Sequence, residues 1–506
     1  MNNTLKITIG LLLIFQIISN AQPTAVEKIE QGIDSLFRYN PNLVGLQMAV
    51  LRDDSVIINE GYGLTNLEKN QPINAKSKFY IASSTKSFVG MLGAILAQSG
   101  DLDLDTCITK YFPDLEFKQH NLNADKISLR DHFGHRTGYE NDLLAYLPPV
   151  VGSMPTDRMV HLLSNFSREV PITFNYSNES YTMAAAAMEK ATGKSWKRLL
   201  REYIFDPLEL KNTGTNIDSM KMDRNFALPH DFINGRMRVT EPKSNTNMHA
   251  AGGMISNARD LIQWMKVIAN QGRHHEQQVI DDQAVKEALS IQTRLQAMYY
   301  NRYQRYAYAF GWYLSTYRQE QVLHHFGGFI GYHCHMSFMP EKGLAVAVLA
   351  NSGTLAPQLI ASYIYDILLG QEDAENFYHT LMKEGKSSRE WNHNKDQVRK
   401  EWIQPNDEPN RYKKSDLTGL YESERLGKIE IRISNDNLAA VFGEKRSELK
   451  NIGGDTYLIS WSAEKYDFDL EAVITNKLIF EIKNGILVMS LQSNAFGLIG
   501  TFNQVE

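Results

Sequence analysis

Three short clusters in this 506-residue chain carry residue types able to do nucleophilic chemistry. The first is FYIASSTKSFVG, residues 79–90, which places Ser83 three residues before Lys86 where an extended segment gives way to an apolar helical run. Positions three apart on a helix face the same way, so the amine can approach the hydroxyl. A serine hydroxyl is a weak nucleophile until a base takes its proton, and a lysine serves if burial lowers its pKa. The apolar run supplies burial, and the helix N-terminus presents backbone N–H groups to an oxyanion. The same residues also suit an ordinary helix N-cap with an exposed lysine. Ser-x-x-Lys recurs at Ser447/Lys450 and Ser462/Lys465, so the spacing by itself does not choose.

The second cluster, FNYSNESYTMAAAA, puts Tyr176 and Asn178 just before another helical run. A phenol there can shuttle a proton and an amide can orient a substrate, although Asn178 would also make a good N-cap. Tyr299-Tyr300-Asn301 shows that Tyr-x-Asn also arises by chance. The third, HHFGGFIGYHCH, carries His325-Phe326-Gly327-Gly328 on a strand-like stretch, where paired glycines let a substrate backbone lie close and offer N–H donors. A Gly-rich turn is the plainer account. A metal site from His324, His325, His333, Cys334 and His335 is disfavoured, because adjacent strand residues point to opposite faces.

The three clusters occur in order, each at a fitting junction, and as a set the chain resembles the serine β-lactamase and penicillin-binding-protein superfamily. That superfamily carries Ser-x-x-Lys, a middle Ser/Tyr-x-Asn and Lys-Thr-Gly. Tyr-x-Asn with His-x-Gly in place of Lys-Thr-Gly is similar to the class C β-lactamase-like, CubicO-type branch of D-aminopeptidases, D-Ala-D-Ala carboxypeptidases and esterases. LRDHFGHRTGY at 129–139 and AAGGMISNARDLIQWM at 250–265 resemble further recurrent segments of that branch. The resemblance spans about 30–370 and implies Ser83 as the acylated nucleophile, Lys86 as its partner base and Tyr176 as the phenol that assists proton transfer. It implies Asn178, His325 and Gly327 as substrate-binding residues, and the N–H groups of Ser83 and Gly328 as the oxyanion hole. Whether Lys86 or Tyr176 is the acylation base stays open. No metal or organic cofactor is implied. Phe326 replaces a substrate-binding Thr and a largely neutral His325 replaces a fixed positive charge, and both departures argue against β-lactams as the preferred substrate.

The elements that must position these residues are legible in outline. Runs at 44–62 read as a hairpin, followed by the helix after Ser83, with Gly100 as its stop. Residues 101–295 read as mostly helical with long loops. Strand-like runs return at 308–315, 321–326, 332–338 and 344–350, before a helix at roughly 356–370. That order predicts an α+β domain with an antiparallel sheet built from sequence-distant ends, flanked by helices and carrying an inserted helical region. Residues 373–414 read as a charged linker containing some helix. From 415 to 506 the strands alternate, as in Ile429, Ile431 and Ile433 against Lys428, Glu430 and Arg432, and Asn484-Gly485 marks a hairpin. These predict a small all-β barrel-like domain, similar to the lipocalin-like module appended to such hydrolases. The division expected is thus 1–21, 22–372, 373–414 and 415–506.

Hydrophobic content of 43% and charged content of 22% are those of a soluble globular protein. A net charge of -5 argues against nucleic acid as a partner. Lys6, the apolar run Ile7–Ile18 and Ser19-Asn20-Ala21 read as a cleavable signal peptide over residues 1–21, leaving no stable membrane insertion and an exported, periplasmic or extracellular protein. Cys107 and Cys334 are expected to be free thiols. The sequence therefore predicts an exported serine hydrolase acting through a Ser83 acyl-enzyme on esters or amides, including D-amino-acid or peptidoglycan-derived compounds. The alternatives are a β-lactamase, a slowly turning-over penicillin-binding sensor, or a catalytically silent relative. Small molecules or peptides are the expected partners, and the oligomeric state is not readable.

Overall fold

The computed structural model describes residues 23–505, apart from 41, 120, 145, 146, 148–151, 153, 301, 444, 460–475 and 494–496. The leader read at 1–21 lies outside the described residues, as do Ser462 and Lys465. Among the described residues, no helix is long and apolar enough to cross a membrane.

A nine-stranded antiparallel sheet organises the first part of the chain. Its order runs Thr293–Tyr299, Tyr303–Tyr308, Tyr313–Tyr317, Glu320–Phe329, Tyr332–Met339, Leu344–Ala350, Gly45–Arg52, Ser55–Asn66 and Gln71–Pro72. Ala49 lies opposite Ala347, so the expected union of sequence-distant ends occurs between Gly45–Arg52 and Leu344–Ala350. Both strands are buried on both faces apart from Arg52, which explains their near-continuous apolar sequence. One face packs Met48, Val346 and Val348 against the helices Ala25–Tyr39 and Ala356–Leu368. The other packs Ala49, Ala347 and Met336 in the core that holds the helices Thr85–Gln98 and Ala258–Ala269.

The strand expected over 308–315 is broken. Tyr308 ends one strand and Tyr313 begins the next, with Gly311 at φ +77° turning the chain between them. A Cβ at Gly311 would also lie 2.3 Å from the Lys86 carbonyl oxygen, so this turn sits directly against the helix that carries Lys86. Of two strands here, Thr293–Tyr299 begins within the stretch expected to be helical, and Tyr303–Tyr308 lies almost wholly where no element was expected. Their mixed exposure leaves no clean alternation to read.

After the sheet domain, Phe377–Trp402 forms one 26-residue helix through the segment expected to be a linker. Beyond it, eight strands from Gly419 to Gln504 close into a barrel. Ile429 and Ile431 point into its core with Leu438, Phe480 and Phe502, whereas Ile433, at the strand's end, is 50% exposed. Asn484 and Gly485 take φ +52° and +79°, the left-handed pair that a two-residue hairpin requires. Contacts between the barrel and the sheet domain among the described residues include two polar ones. Arg158 donates to the Glu424 carbonyl at 2.7 Å, and Lys445 pairs with Glu241 at 2.9 Å.

Candidate active site

The position of Ser83, the candidate nucleophile, begins with backbone geometry. Phe79–Tyr80 pairs with Ile255–Ser256, and the Ile81 amide donates to the Met254 carbonyl. Ala82 then takes φ +45°, a left-handed conformation that an alanine holds at a cost of about 1 kcal/mol. The chain turns sharply there, and Ser83 emerges half-buried in the tight turn that precedes the helix Thr85–Gln98. That helix is fixed from below: Phe88 stacks on Trp264 at 4.3 Å between centroids, and the Trp264 indole N–H donates to Ser87. Burying a side chain such as Phe88 or Leu92 contributes roughly 2 kcal/mol each to holding the helix.

Lys86 is wholly buried. Its Nζ lies 3.1 Å from Ser83 Oγ, 2.8 Å from Asn178 Oδ1 and 2.7 Å from the Ala251 carbonyl oxygen. Burial pushes its pKa well below the ordinary lysine value, against a smaller opposing pull from Glu179. A neutral amine has two N–H bonds and one lone pair. Two carbonyl oxygens, those of Asn178 and Ala251, occupy the two N–H bonds, which leaves the lone pair for the Ser83 hydroxyl proton. After that proton moves, the ammonium has three donors facing three oxygens, so the same cage accepts both protonation states.

Tyr176 stands on the other side of this cage. Lys86 Nζ is 4.8 Å from its ring centroid. The phenol oxygen is buried without a hydrogen bond of normal geometry, though Ser83 is near enough to temper its pKa. Burial, then Tyr313, pushes that pKa well above the ordinary phenol value, so Tyr176 stays protonated and has a donor to give. His135 holds this loop in place. Its Nδ1 accepts from the Ser177 amide at 3.1 Å, and its ring lies 4.6 Å from that of Tyr176. The segment 129–139 was singled out in the sequence, but His135 within it was not.

Glu320–Phe329 supplies the opposite wall. Its pairing with Tyr313–Tyr317 stops at His324, whereas its pairing with Tyr332–Met339 continues to Phe329. From His325 to Phe329 one strand edge is therefore unpaired, with Gly328 exposed on it. Gly327 has a steric task, since a Cβ there would lie 2.0 Å from the Ile81 carbonyl oxygen. Only glycine lets this strand come so close to the turn carrying Ser83. A Cβ at Gly328 would meet only His333 at 3.6 Å, so that position is not sterically obliged to be glycine.

His325 is buried, and burial followed by Lys86 pushes its pKa well below 6.5. It is a neutral ring whose Nδ1 faces the Phe326 carbonyl at 2.7 Å and whose Nε2 faces the Tyr308 hydroxyl at 3.2 Å. It braces the wall through Tyr308 rather than presenting a charge. The strand alternation separates the histidines as expected. His324 stacks with His335 at 5.9 Å on one face, while His325 lies near Tyr176 on the other. Cys334 and Cys107 are free thiols, and Cys334 Sγ lies 3.1 Å from Ser84 Oγ behind the nucleophile.

Sequence reasoning missed a guanidinium. Arg305 lies between the rings of Tyr299 and Tyr313, 3.8 and 3.6 Å from their centroids, and 5.4 Å from Phe326. Its Nη2 is buried without a hydrogen-bond partner, and the groups that raise its pKa against burial are tyrosines, Tyr176 among them. The fixed positive charge absent at His325 is thus present from another strand.

The Beta-lactamase family model matches residues 29–369, which takes in all of these residues. The chain belongs to the beta-lactamase family. It is 22% identical over 344 residues to Protein flp of Staphylococcus aureus (strain MW2), covering 65% of each chain. The chain thus spans about 65% of the length of the first curated relatives it matches. Among solved structures, this beta-lactamase-family chain superimposes on the octameric penicillin-binding protein homologue from Pyrococcus abyssi. The TM-score is 0.59 at 18% identity, over 95% of this chain and 100% of that one. It also matches the D-amino acid amidase from Ochrobactrum anthropi SV3, with a TM-score of 0.54 at 21% identity over 68% of this chain and 100% of that one.

Proposed function

We propose that this serine hydrolase of the beta-lactamase family forms an acyl-enzyme on Ser83 and releases it to water. The observation that carries the reading is the Lys86 cage, in which a buried amine with both N–H bonds engaged turns its lone pair to the Ser83 hydroxyl. Ser83 Oγ attacks the substrate carbonyl as Lys86 takes its proton. The developing oxyanion is met by the Ser83 and Gly328 amides. The C–O or C–N bond to the leaving group then breaks, and the leaving group takes a proton from the Tyr176 phenol, which Lys86 restores. Water repeats the sequence on the acyl-enzyme. The opposite pKa directions of Lys86 and Tyr176 support Lys86 as the acylation base and Tyr176 as the acid.

The substrates are short esters and amides, with D-amino-acid or peptidoglycan-derived compounds as the class. The unpaired edge His325–Phe329 supports an extended amide backbone, which can add to it as a further strand. The solved D-amino acid amidase of similar fold is in keeping with that class. β-Lactam hydrolysis is the second reading, favoured by Arg305, whose buried donor suits a substrate carboxylate. The leader read at residues 1–21 supports action outside the cytoplasm. Intact mass after treatment with a fluorophosphonate, followed by peptide mapping, tests the reading. One adduct on Ser83 is expected, and an adduct elsewhere with Ser83 unmodified overturns it.

A further inference from the structure

Among the described residues, the buried Tyr176 hydroxyl has no hydrogen bond of normal geometry, so a bond at its own tip does not fix the phenol. Its place is set by the backbone on either side and by the rings around it. His135 reaches both sides of that backbone. Its carbonyl oxygen accepts from the Asn175 amide at 2.8 Å, and its Nδ1 accepts from the Ser177 amide at 3.1 Å.

The local sequence explains why the Ser177 amide goes to His135. Ser177 caps the helix Asn178–Thr192, taking the Ser180 amide on its hydroxyl. A helix cap leaves its own N–H without an intrahelical partner, and a Glu or Gln three residues on commonly takes it. Ser180 stands at that position here, and its short side chain meets the Ser177 hydroxyl instead, at 2.7 Å.

The imidazole occupies this place under stress that bulk alone would not require. His135 takes φ +56°, a left-handed conformation. Burial, then Lys86, holds its pKa well below 6.5, so the ring is neutral, and an Nδ1 that accepts puts the single proton on Nε2. That Nε2 is buried without a partner among the described residues, and the ring packs against those of Tyr176, Tyr181 and Tyr308 at 4.6, 5.1 and 4.9 Å. An apolar side chain would fill the same space with no unmet donor. What the imidazole adds is the bare Nδ1.

We propose that His135 is a positioning residue for Tyr176: its carbonyl oxygen and bare Nδ1 clamp the amides on both sides of that residue and hold the phenol where it can protonate the leaving group. This rests on the reading of Tyr176 as the acid. His135 should then matter in proportion to how much the leaving group needs a proton.

The test uses two esters of one acyl group, p-nitrophenyl butyrate and ethyl butyrate, and reads kcat/KM, which reports acylation. p-Nitrophenolate leaves without a proton, whereas ethoxide needs one. His135→Asn keeps an acceptor at the δ position and tolerates the left-handed backbone, while His135→Gln moves its acceptor one atom further out. His135→Gln and Tyr176→Phe should each lower the ethyl-to-p-nitrophenyl ratio at least about tenfold. On ethyl butyrate the double variant should fall less than about threefold below Tyr176→Phe alone, because the two act as a unit. His135→Asn should keep the wild-type ratio within about threefold. Should His135→Gln fail to fold, His135→Gly, which suits φ +56° and lacks the side-chain acceptor, carries the same expectation. Equal losses on the two esters, losses that multiply in full with Tyr176→Phe, or an Asn variant as impaired as Gln overturn the positioning role alone. A Tyr176→Phe ratio within about twofold of wild type overturns the acid reading beneath it. Wild-type protein inactive on both esters overturns the ester hydrolase reading itself.

Discussion

Lys86 Nζ and the carbonyl oxygen of Ala251 meet at 2.7 Å across 165 positions of sequence. This bond, with the one to Asn178, uses up the donors of a neutral lysine and so directs its lone pair at Ser83. It ties the segment 250–265 to Lys86, and under the proposed mechanism Asn178 orients the base as well as the substrate.

Ser83→Ala should abolish hydrolysis and fluorophosphonate labelling, a fall of at least about 1,000-fold. Ser447→Ala and Ser462→Ala should leave both intact. Ser447 lies on a barrel strand, where its hydroxyl donates to the Glu448 carbonyl. Label retained in the Ser83 variant would end the assignment.

Lys86 fixes the acid side of the pH profile. Activity needs its neutral form, so kcat should rise with pH through the lowered lysine pKa and then level off. The stability sign follows from the same shift. Between the folded pKa and the ordinary value of 10.5, the unfolded chain binds more protons than the native one, so stability rises with pH across that window. Melting temperatures of wild type and Lys86→Met, compared at several pH values, should show the wild type gaining on the variant as pH increases. A constant gap would mean that Lys86 is charged in the folded protein.

Tyr176→Phe should lower kcat by about 100- to 10,000-fold, the usual worth of a positioned proton donor. Because Lys86 keeps its cage, the midpoint of the acid limb should not move. A shifted midpoint with little loss of rate would transfer the titrating role from Lys86 to the phenol.

Arg305→Met should lower kcat/KM about 10- to 100-fold for substrates with a carboxylate on one side of the scissile bond, and much less for neutral esters. Steady-state rates on nitrocefin, on a D-amino amide and on p-nitrophenyl acetate check this. Equal losses on all three would assign Arg305 to packing between Tyr299 and Tyr313. Efficient cephalosporin turnover by the wild type, with weak esterase activity, would promote the β-lactamase reading.

Gly327→Ala should place a methyl group against the Ile81 carbonyl oxygen. Relieving that clash would push the strand off the nucleophile turn at a cost of about 1–3 kcal/mol. Thermal unfolding should register the cost and labelling of Ser83 should slow. Gly328→Ala, whose methyl would meet only His333 at an ordinary contact distance, should leave the melting temperature nearly unchanged.

The legible parts of this site were those whose partners are local. Ser83 and Lys86 are one turn apart, and Tyr176 and Asn178 flank a helix start, so spacing brings each pair together, while the order of the three clusters and the resemblance set them apart from the chance copies. The barrel hairpin at Asn484-Gly485 was readable for the same reason. Ala251 and Arg305 were not, because a backbone carbonyl has no residue type and a guanidinium's destination depends on strand order. The strands Thr293–Tyr299 and Tyr303–Tyr308 escaped notice because burial along them does not alternate: Arg294, Gln296, Ala297 and Met298 are all exposed, so polar and apolar residues share the solvent side. The long helix Phe377–Trp402 was concealed by its hydrophilicity, since a helix that buries little shows little periodicity.

The open edge from His325 to Phe329 also bears on how the protein behaves in concentrated solution. Unsatisfied strand edges invite pairing between molecules, and proteins usually blunt them with charge, irregularity or cover. Under the proposed function this edge stays accessible, so protection comes from its brevity and from the glycines that interrupt its side-chain surface. On that reading the chain keeps a miniature self-association hazard as a condition of binding extended guests. A short strand-forming peptide that occupies the edge should raise the melting temperature and slow precipitation on heating in the same measure.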